Sequence, residues 1–407
     1  MKIAFYIHHT TISAGGIYTY TIGILRQLTN SPDIEKIVIV TSKEIAETLN
    51  EFRENKKVDI SVVDRKKLIV QLKFLTWYLT YLSIHFIKVI FGSFSPFNKM
   101  TNLISRLNPY YKILNGAQVD IFHVPVQYSP IYRAEIPVIT TMHDLQEYHY
   151  PHYFSLKEKL HRKINNNISI NDSDHIVCSF NHVKNDILKF FTIDSIKVSV
   201  CPPPFAEDWF LDKSESDWQQ IQQKYNIKKN YLLYPAATWE HKNHIVLLEA
   251  FKKIRDETLE VELVCTGNKT NFYLTIENKI ADLKLSESVH FLGIVPEAEL
   301  ICLYKNSYLV VIPTLYEAGS GPLYEAMRYK LPVICSNVTS LPDTVDNDEF
   351  LFDPNDAIKL AEKIRTGLTN LEFRRRNVEN SVRRIEELRK TNYVINFINV
   401  YKKLRAK

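Results

Sequence analysis

Strand-length runs of apolar residues alternate with helical patterns along the whole chain, and this alternation predicts parallel sheets covered by helices, an α/β architecture. In the first half the runs are Lys2–Ile7, Lys36–Thr41, Asp59–Val63, Val119–Val124, Pro137–Met142, His175–Ser179 and Lys197–Cys201. Pro202, Pro203 and Pro204 then interrupt the pattern. A triple proline continues neither regular element and makes a stiff connector, so a domain boundary is expected there. The second half restarts with Tyr231–Tyr234, Leu259–Cys265, Val289–Leu292, Tyr308–Ile312, Val333–Ser336 and Glu349–Phe352. Helices are expected at Ile17–Leu28, Lys242–Arg255, Glu297–Lys305 and Asn355–Leu368, and Leu371–Arg405 reads as two charged amphipathic helices. No internal repeat or low-complexity segment appears.

The segment Tyr308–Ser336 carries the most chemistry. Its apolar run ends at Pro313; Gly319, Ser320 and Gly321 form a loop, and Pro322 stands where a first helical residue is favoured. Backbone N–H groups gather at such a helix start, and the macrodipole adds partial positive charge, so an anion is the natural ligand. Glu317 and Glu325, eight positions apart, flank this anion site. Carboxylates accept hydrogen bonds in pairs, which suits the vicinal hydroxyls of a ribose or a hexose. Taken alone, Glu325 is also explained as a first-turn residue favoured by the dipole. The combination of strand, glycine loop, proline, two carboxylates and a following strand points to a sugar attached to a diphosphate.

This segment resembles the paired-glutamate signature of the retaining nucleotide-sugar glycosyltransferases of family four. The resemblance implies the GT-B architecture: two Rossmann-like domains facing each other across a cleft, with the last helix crossing back to the first domain. The expected division is 1–203 on the acceptor side, 204–385 on the nucleotide-sugar side, and 386–407 as the returning helix. In that family the residue matching Glu317 contacts the transferred sugar, and the one matching Glu325 holds the ribose hydroxyls. The family's usual glycine-aromatic-glycine loop after the first glutamate is replaced here by Ala318, Gly319, Ser320 and Gly321. Donor contacts are accordingly expected from Gly319, Ser320, Gly321, Pro322 and Leu323.

Ligands of open parallel sheets bind at the carboxyl ends of strands, so the loops there hold the other candidates. Gly15-Gly16 follows the first strand and precedes a helix; paired glycines let a backbone approach a phosphate closely, and the resemblance implies contact with the donor diphosphate and acceptor. The dinucleotide fingerprint is absent, which disfavours a nicotinamide enzyme. His143 and Asp144 follow Pro137–Met142. A histidine there suits either a structural bond or a ligand hydroxyl; the resemblance places His143 near the sugar and leaves Asp144 structural. In Tyr234–His244, Lys242 opens a helix and offers a mobile cation for a leaving diphosphate. The family typically has an arginine five residues before it, where this chain has Ala237, so Thr238, the backbone or Lys269 must contribute instead. Thr266, Gly267 and Gly293 are base-facing by resemblance. Asp346 and Asp348 form a D-x-D pair late in the second domain and read as solvated loop residues; no metal site is expected, and no cofactor beyond the nucleotide-sugar substrate.

Composition narrows the class further. With 407 residues, 45% hydrophobic and 24% charged, the chain is an ordinary globular protein long enough for two domains. Five scattered cysteines lack metal or redox spacing and fit a reducing compartment. Lys2 leads directly into the first strand without a signal-peptide pattern, so a cytoplasmic location is expected. The net charge of +5 is mild, and nucleic-acid binding has no supporting motif. The stretch 66–94 mixes Lys73 and Lys88 with Phe74, Trp77, Tyr78, Tyr81, Phe86 and Phe91. Two readings stay open for it: a helix in a membrane interface beside a lipid-linked acceptor, or a helix packed on the first sheet with an exposed basic edge.

The expected activity is transfer of a hexose from a UDP- or GDP-sugar to a carbohydrate or lipid-linked acceptor hydroxyl, in bacterial surface polysaccharide or glycolipid synthesis. Glu317, Lys242 and His143 carry it. Mannose, glucose, galactose and N-acetylglucosamine all remain open as the sugar. The alternatives are a nucleotide-sugar epimerase or hydrolase of the same architecture, and a non-catalytic partner of an active transferase.

Overall fold

The computed structural model describes residues 1–8, 16–91, 95–203, 205, 207–211, 214–257 and 260–406. Gly15, Pro204 and Leu259 lie outside the described residues. The chain forms two compact units, Met1–Ala206 with Asn392–Lys407, and Glu207–Thr391. The helix Leu371–Lys390 runs through position 386, and the chain leaves the second unit after it.

The first unit is built on a parallel sheet of β1 (Lys2–Tyr6), β2 (Lys36–Thr41), β3 (Val58–Val62), β4 (Ile121–Val124), β5 (Val138–Met142), β6 (His175–Cys178) and β7 (Val198–Val200). Its order is β3-β2-β1-β4-β5-β6-β7, so the winding reverses between β1 and β4. The central strands are buried on both faces, which is why they read as unbroken apolar runs rather than alternating ones. The helix Val394–Arg405 belongs to this unit: Phe397, Ile398 and Tyr401 are buried with Ile3, Phe5 and Ile121. Tyr401 Oη lies 2.6 Å from Nδ1 of His123, an imidazole on β4 that burial pushes down to about 3.

The second unit repeats the scheme with β8 (Tyr231–Pro235), β9 (Glu262–Thr266), β10 (Val289–Phe291), β11 (Leu309–Ile312), β12 (Val333–Ser336) and β13 (Leu351–Phe352). The order β10-β9-β8-β11-β12-β13 puts the reversal between β8 and β11. In such sheets the crevice at the reversal, at the carboxyl ends of the strands, is where ligands bind.

Helix Leu68–Phe91 resolves the two readings of 66–94 in part. Its own Trp77 and Tyr81 are buried, with Phe74, Tyr78 and Leu82 packed around them, while Leu68, Leu72, Leu75, Leu79 and Ile90 stay exposed. Lys88 does not form an exposed basic edge: it turns inward to Asp172, 3.6 Å away on the helix Leu156–Asp172. All five cysteines are buried thiols.

Candidate functional site

Lys242 and Glu317 meet at the reversal of the second sheet, with Nζ 2.5 Å from Oε2. Local hydrogen bonding explains the meeting. After β8 the chain makes one tight turn, Glu240–Lys242, and passes into the helix His244–Asp256 through Asn243, whose φ of 61° is left-handed. Asparagine tolerates that conformation. Its buried amide donates to the carbonyls of Pro313 at 2.9 Å and Pro354 at 2.7 Å, pinning the turn to the exit of β11. Leu315 N–H and the Thr314 hydroxyl both donate to the His241 carbonyl, at 2.8 and 3.1 Å. The Tyr234 hydroxyl donates to the Lys242 carbonyl at 2.8 Å. Two loops far apart in sequence are thus sewn together, and their charged side chains follow.

Glu317 is held from its other side by Thr339 and Ser340. The Thr339 hydroxyl accepts from the Glu317 N–H at 3.1 Å and donates to its carbonyl at 2.7 Å, and Ser340 Oγ donates to that carbonyl at 3.1 Å. Thr339 does this from a φ of 53°, a left-handed conformation that a β-branched residue rarely adopts. The ion pair is mostly buried, with side-chain exposures of 19% for Lys242 and 13% for Glu317. Among the described residues Glu317 is the lone hydrogen-bond partner of the Lys242 ammonium, a group with three donors. His241 and His244 stand beside it, and burial, reinforced by the Lys242 charge, pushes both imidazoles down to about 3. They are neutral at physiological pH, so the local positive charge is that of Lys242. Burial, then the Glu317 carboxylate, raises the Tyr234 phenol.

The helix Gly321–Arg328 starts where expected, with Ser320 as its cap and Pro322 in the first turn. Fewer N–H groups are free there than four, however. Pro322 has none, the Leu323 N–H reaches Ser320 Oγ at 3.4 Å, and the Tyr324 N–H reaches the Ser320 carbonyl at 3.2 Å. A Cβ placed on Gly321 meets nothing within 4 Å, so its backbone is open to approach. Leu323 is fully buried and serves the core with its side chain. Glu325 lies half-buried one turn into the helix beside the Tyr304 phenol, which burial and then that carboxylate push upward.

Thr238, Thr266, Gly267 and Gly293 cluster at the ends of β8, β9 and β10. Gly267 has a φ of 117°, and a Cβ there would stand 2.6 Å from the Ala236 carbonyl carbon and 2.7 Å from the Ala237 nitrogen, so only glycine fits. Its N–H donates to the Gly293 carbonyl at 2.7 Å. Thr238 is buried and is tied to the neighbouring turn: its hydroxyl accepts from the Thr270 N–H at 2.7 Å, and its carbonyl accepts from the Thr270 hydroxyl at 2.6 Å. Its side chain is therefore a clamp between loops. Lys269 stacks over the Tyr273 ring at 4.2 Å. Asp346 is exposed, in keeping with its reading as a solvated residue, and lies 3.1 Å from Arg383 and 3.7 Å from Arg384 of the helix Leu371–Lys390.

In the first unit His143 follows β5 and lies within 2.9 Å of the Pro125 carbonyl through Nε2, so that nitrogen carries the proton. Its ring meets the Tyr20 ring edge-on at 5.0 Å, on the helix that Gly16 opens. Asp144 pairs with Arg162, which also reaches Glu147 at 2.9 Å. Gly15 lies outside the described residues. The positions that sequence reasoning missed are Asn243, Tyr304, Thr339 and Ser340. Asn243 carried a signal, an asparagine between a turn and a helix; Thr339 carried none.

Comparison with known proteins follows the same division. Residues 217–384 match the model of the glycosyl transferases group 1, and residues 76–208 match that of Glycosyltransferase Family 4. The O-antigen chain mannosyltransferase RfbU of Salmonella typhimurium is 28% identical over 216 residues, 53% of this chain and 56% of that protein. The O-antigen chain mannosyltransferase B of Escherichia coli is 26% identical over 287 residues, 70% of this chain and 74% of that protein. The first alignment thus spans little more than half of its relative. The crystal structure of Anabaena Alr3699/HepE in complex with UDP and glucose shares the fold, with a TM-score of 0.67, 15% identity and full coverage, 100%, of both chains. The two family models together span 76–208 and 217–384, most of the chain, and on them the chain belongs to the family-four, group-1 glycosyltransferases, with which its two parallel Rossmann-like sheets agree.

Proposed function

We propose that this protein transfers a hexosyl group from a nucleoside-diphosphate sugar to an acceptor hydroxyl, with retention at the anomeric carbon and without a metal ion, in the assembly of a bacterial surface polysaccharide. The observation that carries this reading is the Lys242–Glu317 pair at the reversal of the second sheet, beside the open Gly321. As the bond from the anomeric carbon to the diphosphate breaks, negative charge grows on the leaving oxygens, and an ammonium in a low-dielectric site stabilises it most where it is already in place. Lys242 uses one donor on Glu317 and has others for phosphate oxygens. Glu317, with its backbone clamped by Thr339 and Ser340, positions the sugar rather than attacking it. The acceptor oxygen forms the new bond to the anomeric carbon, and its proton passes to a phosphate oxygen of the leaving group. Glu325 takes the ribose hydroxyls and His143 a hydroxyl of the sugar. Mannose is the sugar favoured by the names of the two O-antigen relatives, and the base, uridine or guanosine, is the first thing to determine.

The same reading places the acceptor at a membrane surface. Among the described residues no helix is long and apolar enough to cross a bilayer. The exposed stripe Leu68, Leu72, Leu75, Leu79 on the 68–91 helix, with Lys66, Lys67 and Lys73 beside it, suits shallow insertion into an anionic interface.

A thermal-shift panel of UDP- and GDP-sugars, followed by turnover assays with the stabilising donor, tests the assignment. Lys242→Ala and Glu317→Gln are each expected to lower kcat by about a hundredfold or more, ~3 kcal/mol of barrier. Near-normal turnover in both variants would refute it, and full-rate consumption of the donor without an acceptor would make the protein a hydrolase.

A further inference from the structure

The first sheet has its own reversal, between β1 and β4, and a cavity of about 470 Å³ opens there. That volume lies in the range of small-molecule sites, ~300–1,000 Å³. One wall is the inward face of the 68–91 helix, including Trp77 and Tyr78; the loop after β4 adds Gln127 and Tyr128, and Asn165 comes from the 156–172 helix. Arg65 also lines the cavity.

Arg65 is half-buried, and its charge is not balanced by any carboxylate among the described residues. Nε donates to the Tyr110 hydroxyl and Nη2 to the Tyr6 hydroxyl, both at 2.9 Å, and the guanidinium lies over the rings of Phe74 and Tyr110 at 5.7 and 5.6 Å. The neighbouring Asp64 sits 3.8 Å from Lys67 instead. Three cations packed near the same helix are compensated, by contrast: Arg162 faces Asp144 and Glu147, and Arg133 and Lys88 share Asp172. A desolvated cation without a counter-charge is costly, and a fork held rigid by two phenols and two rings is ready for a phosphate.

The rest of the wall specifies more than an anion. Trp77 is 2% exposed, lines the cavity, and its indole Nε1 has no hydrogen-bond partner among the described residues. Buried indole N–H groups normally find one. Aromatic faces match the C–H face of a pyranose; the amide nitrogens of Gln127 and Asn165 donate to the Asp144 and His161 carbonyls, at 3.0 and 2.8 Å, which leaves their amide oxygens to accept from its hydroxyls.

We propose that this cavity binds a glycosyl phosphate, the phosphate on Arg65 and the sugar ring against Trp77 and Tyr78, and that this group belongs to the acceptor. Its role as acceptor rests on the transferase reading; the binding itself does not. The phosphate has two sources with the same chemistry, a soluble sugar phosphate or a lipid-linked sugar.

Titration of the full chain with mannose, glucose and N-acetylglucosamine 1-phosphates, against the corresponding methyl glycosides, tests this by calorimetry and tryptophan fluorescence. The phosphates are expected to bind roughly ten- to hundredfold more tightly. Arg65→Met should erase that preference, and Arg65→Lys, which keeps a point charge but not the fork, should retain part of it. Trp77→Phe should remove the fluorescence change while calorimetry still detects binding. Circular dichroism and thermal unfolding establish that each variant is folded; a folded Arg65→Met that keeps the preference overturns the proposal, as does equal binding of neutral and phosphorylated sugars by the parent protein. Tighter binding of a short-chain prenyl-diphosphate sugar in detergent identifies the lipid-linked source, and tighter binding of the free phosphate the soluble one. UDP and GDP binding should be unchanged in Arg65→Met. Its loss there would mean that Arg65 holds the donor and would overturn the proposal, whereas failure of the parent protein to bind any nucleotide would count against the transferase reading alone.

Discussion

Three backbone positions shape the turns around the Lys242–Glu317 pair, and they differ in how plainly the sequence announces them. Gly267 marks a turn after an apolar run, a familiar signal; its actual reason is the backbone of Ala236 and Ala237, 2.6 and 2.7 Å from where a Cβ would stand. Asn243 is legible as a residue that accepts φ of 61°. Thr339 is not, because β-branching argues against its φ of 53° and nothing nearby hints at the Glu317 backbone it clamps. Gly267→Ala combines a positive φ with a backbone clash, so it should cost more than ~1 kcal/mol. A fall in Tm of at least about 2–4 °C is expected for a unit of this size, whereas Gly16→Ala, with open space and no positive φ, should leave Tm nearly unchanged. Equal Tm values for the two variants would contradict this account of the turn.

At the scale of elements, the 68–91 helix is anchored by charge as well as by its aromatic face. Asp172, 3% exposed at the end of the 156–172 helix, lies 3.6 Å from Lys88 and 3.5 Å from His85 of the 68–91 helix, and 3.3 Å from Arg133. Burial opposes its ionisation, yet His85, Lys88 and Arg133 together outweigh burial and bring the carboxyl from 3.8 down to about 2. A depressed acid stabilises the fold fully above its unfolded pKa, and that contribution disappears as pH falls from about 4 to about 2. Asp172→Asn leaves Lys88 and Arg133 buried without a counter-charge and should destabilise the protein by ~3–5 kcal/mol at neutral pH. Urea unfolding at pH 7 and pH 3 checks both magnitude and sign: the gap between parent and variant should shrink at the lower pH, and a gap that widens would exclude this role. The sequence offered Lys88 as part of a basic edge because a helical repeat says which residues share a face, not which face a neighbouring carboxylate will claim.

For the whole molecule, the exposed stripe on the 68–91 helix is the feature with consequences outside either sheet. Leu75 and Leu79 are 51% and 52% exposed, and large apolar side chains in such a row mark an interaction surface. With the membrane reading, Leu75→Asp with Leu79→Asp should weaken sedimentation with vesicles containing anionic lipid by tenfold or more, since each buried side chain contributes ~1.5–3 kcal/mol. Donor binding should be unaffected, because these residues line neither the 470 Å³ cavity nor the Lys242 turn. Unchanged sedimentation would leave the stripe without a membrane role.

The linear chain by itself determined the class of fold, the position of nearly every strand, and the acidic residues of the second unit. Each of these is a local matter: a doubly covered strand must be apolar throughout, a helix start needs its cap, and a diphosphate needs a cation near a helix. Boundaries drifted where prolines or turns sit at strand ends, as at Leu259–Cys265, which became Glu262–Thr266. Tertiary structure alone decided the rest. It chose which loops meet, by reversing each sheet between one pair of strands. It tied Thr238 to the turn at Thr270 and left Arg65 facing an aromatic cavity with no carboxylate partner among the described residues. Such outcomes depend on pairings between residues tens to hundreds of positions apart, and no periodicity or spacing along the chain encodes them.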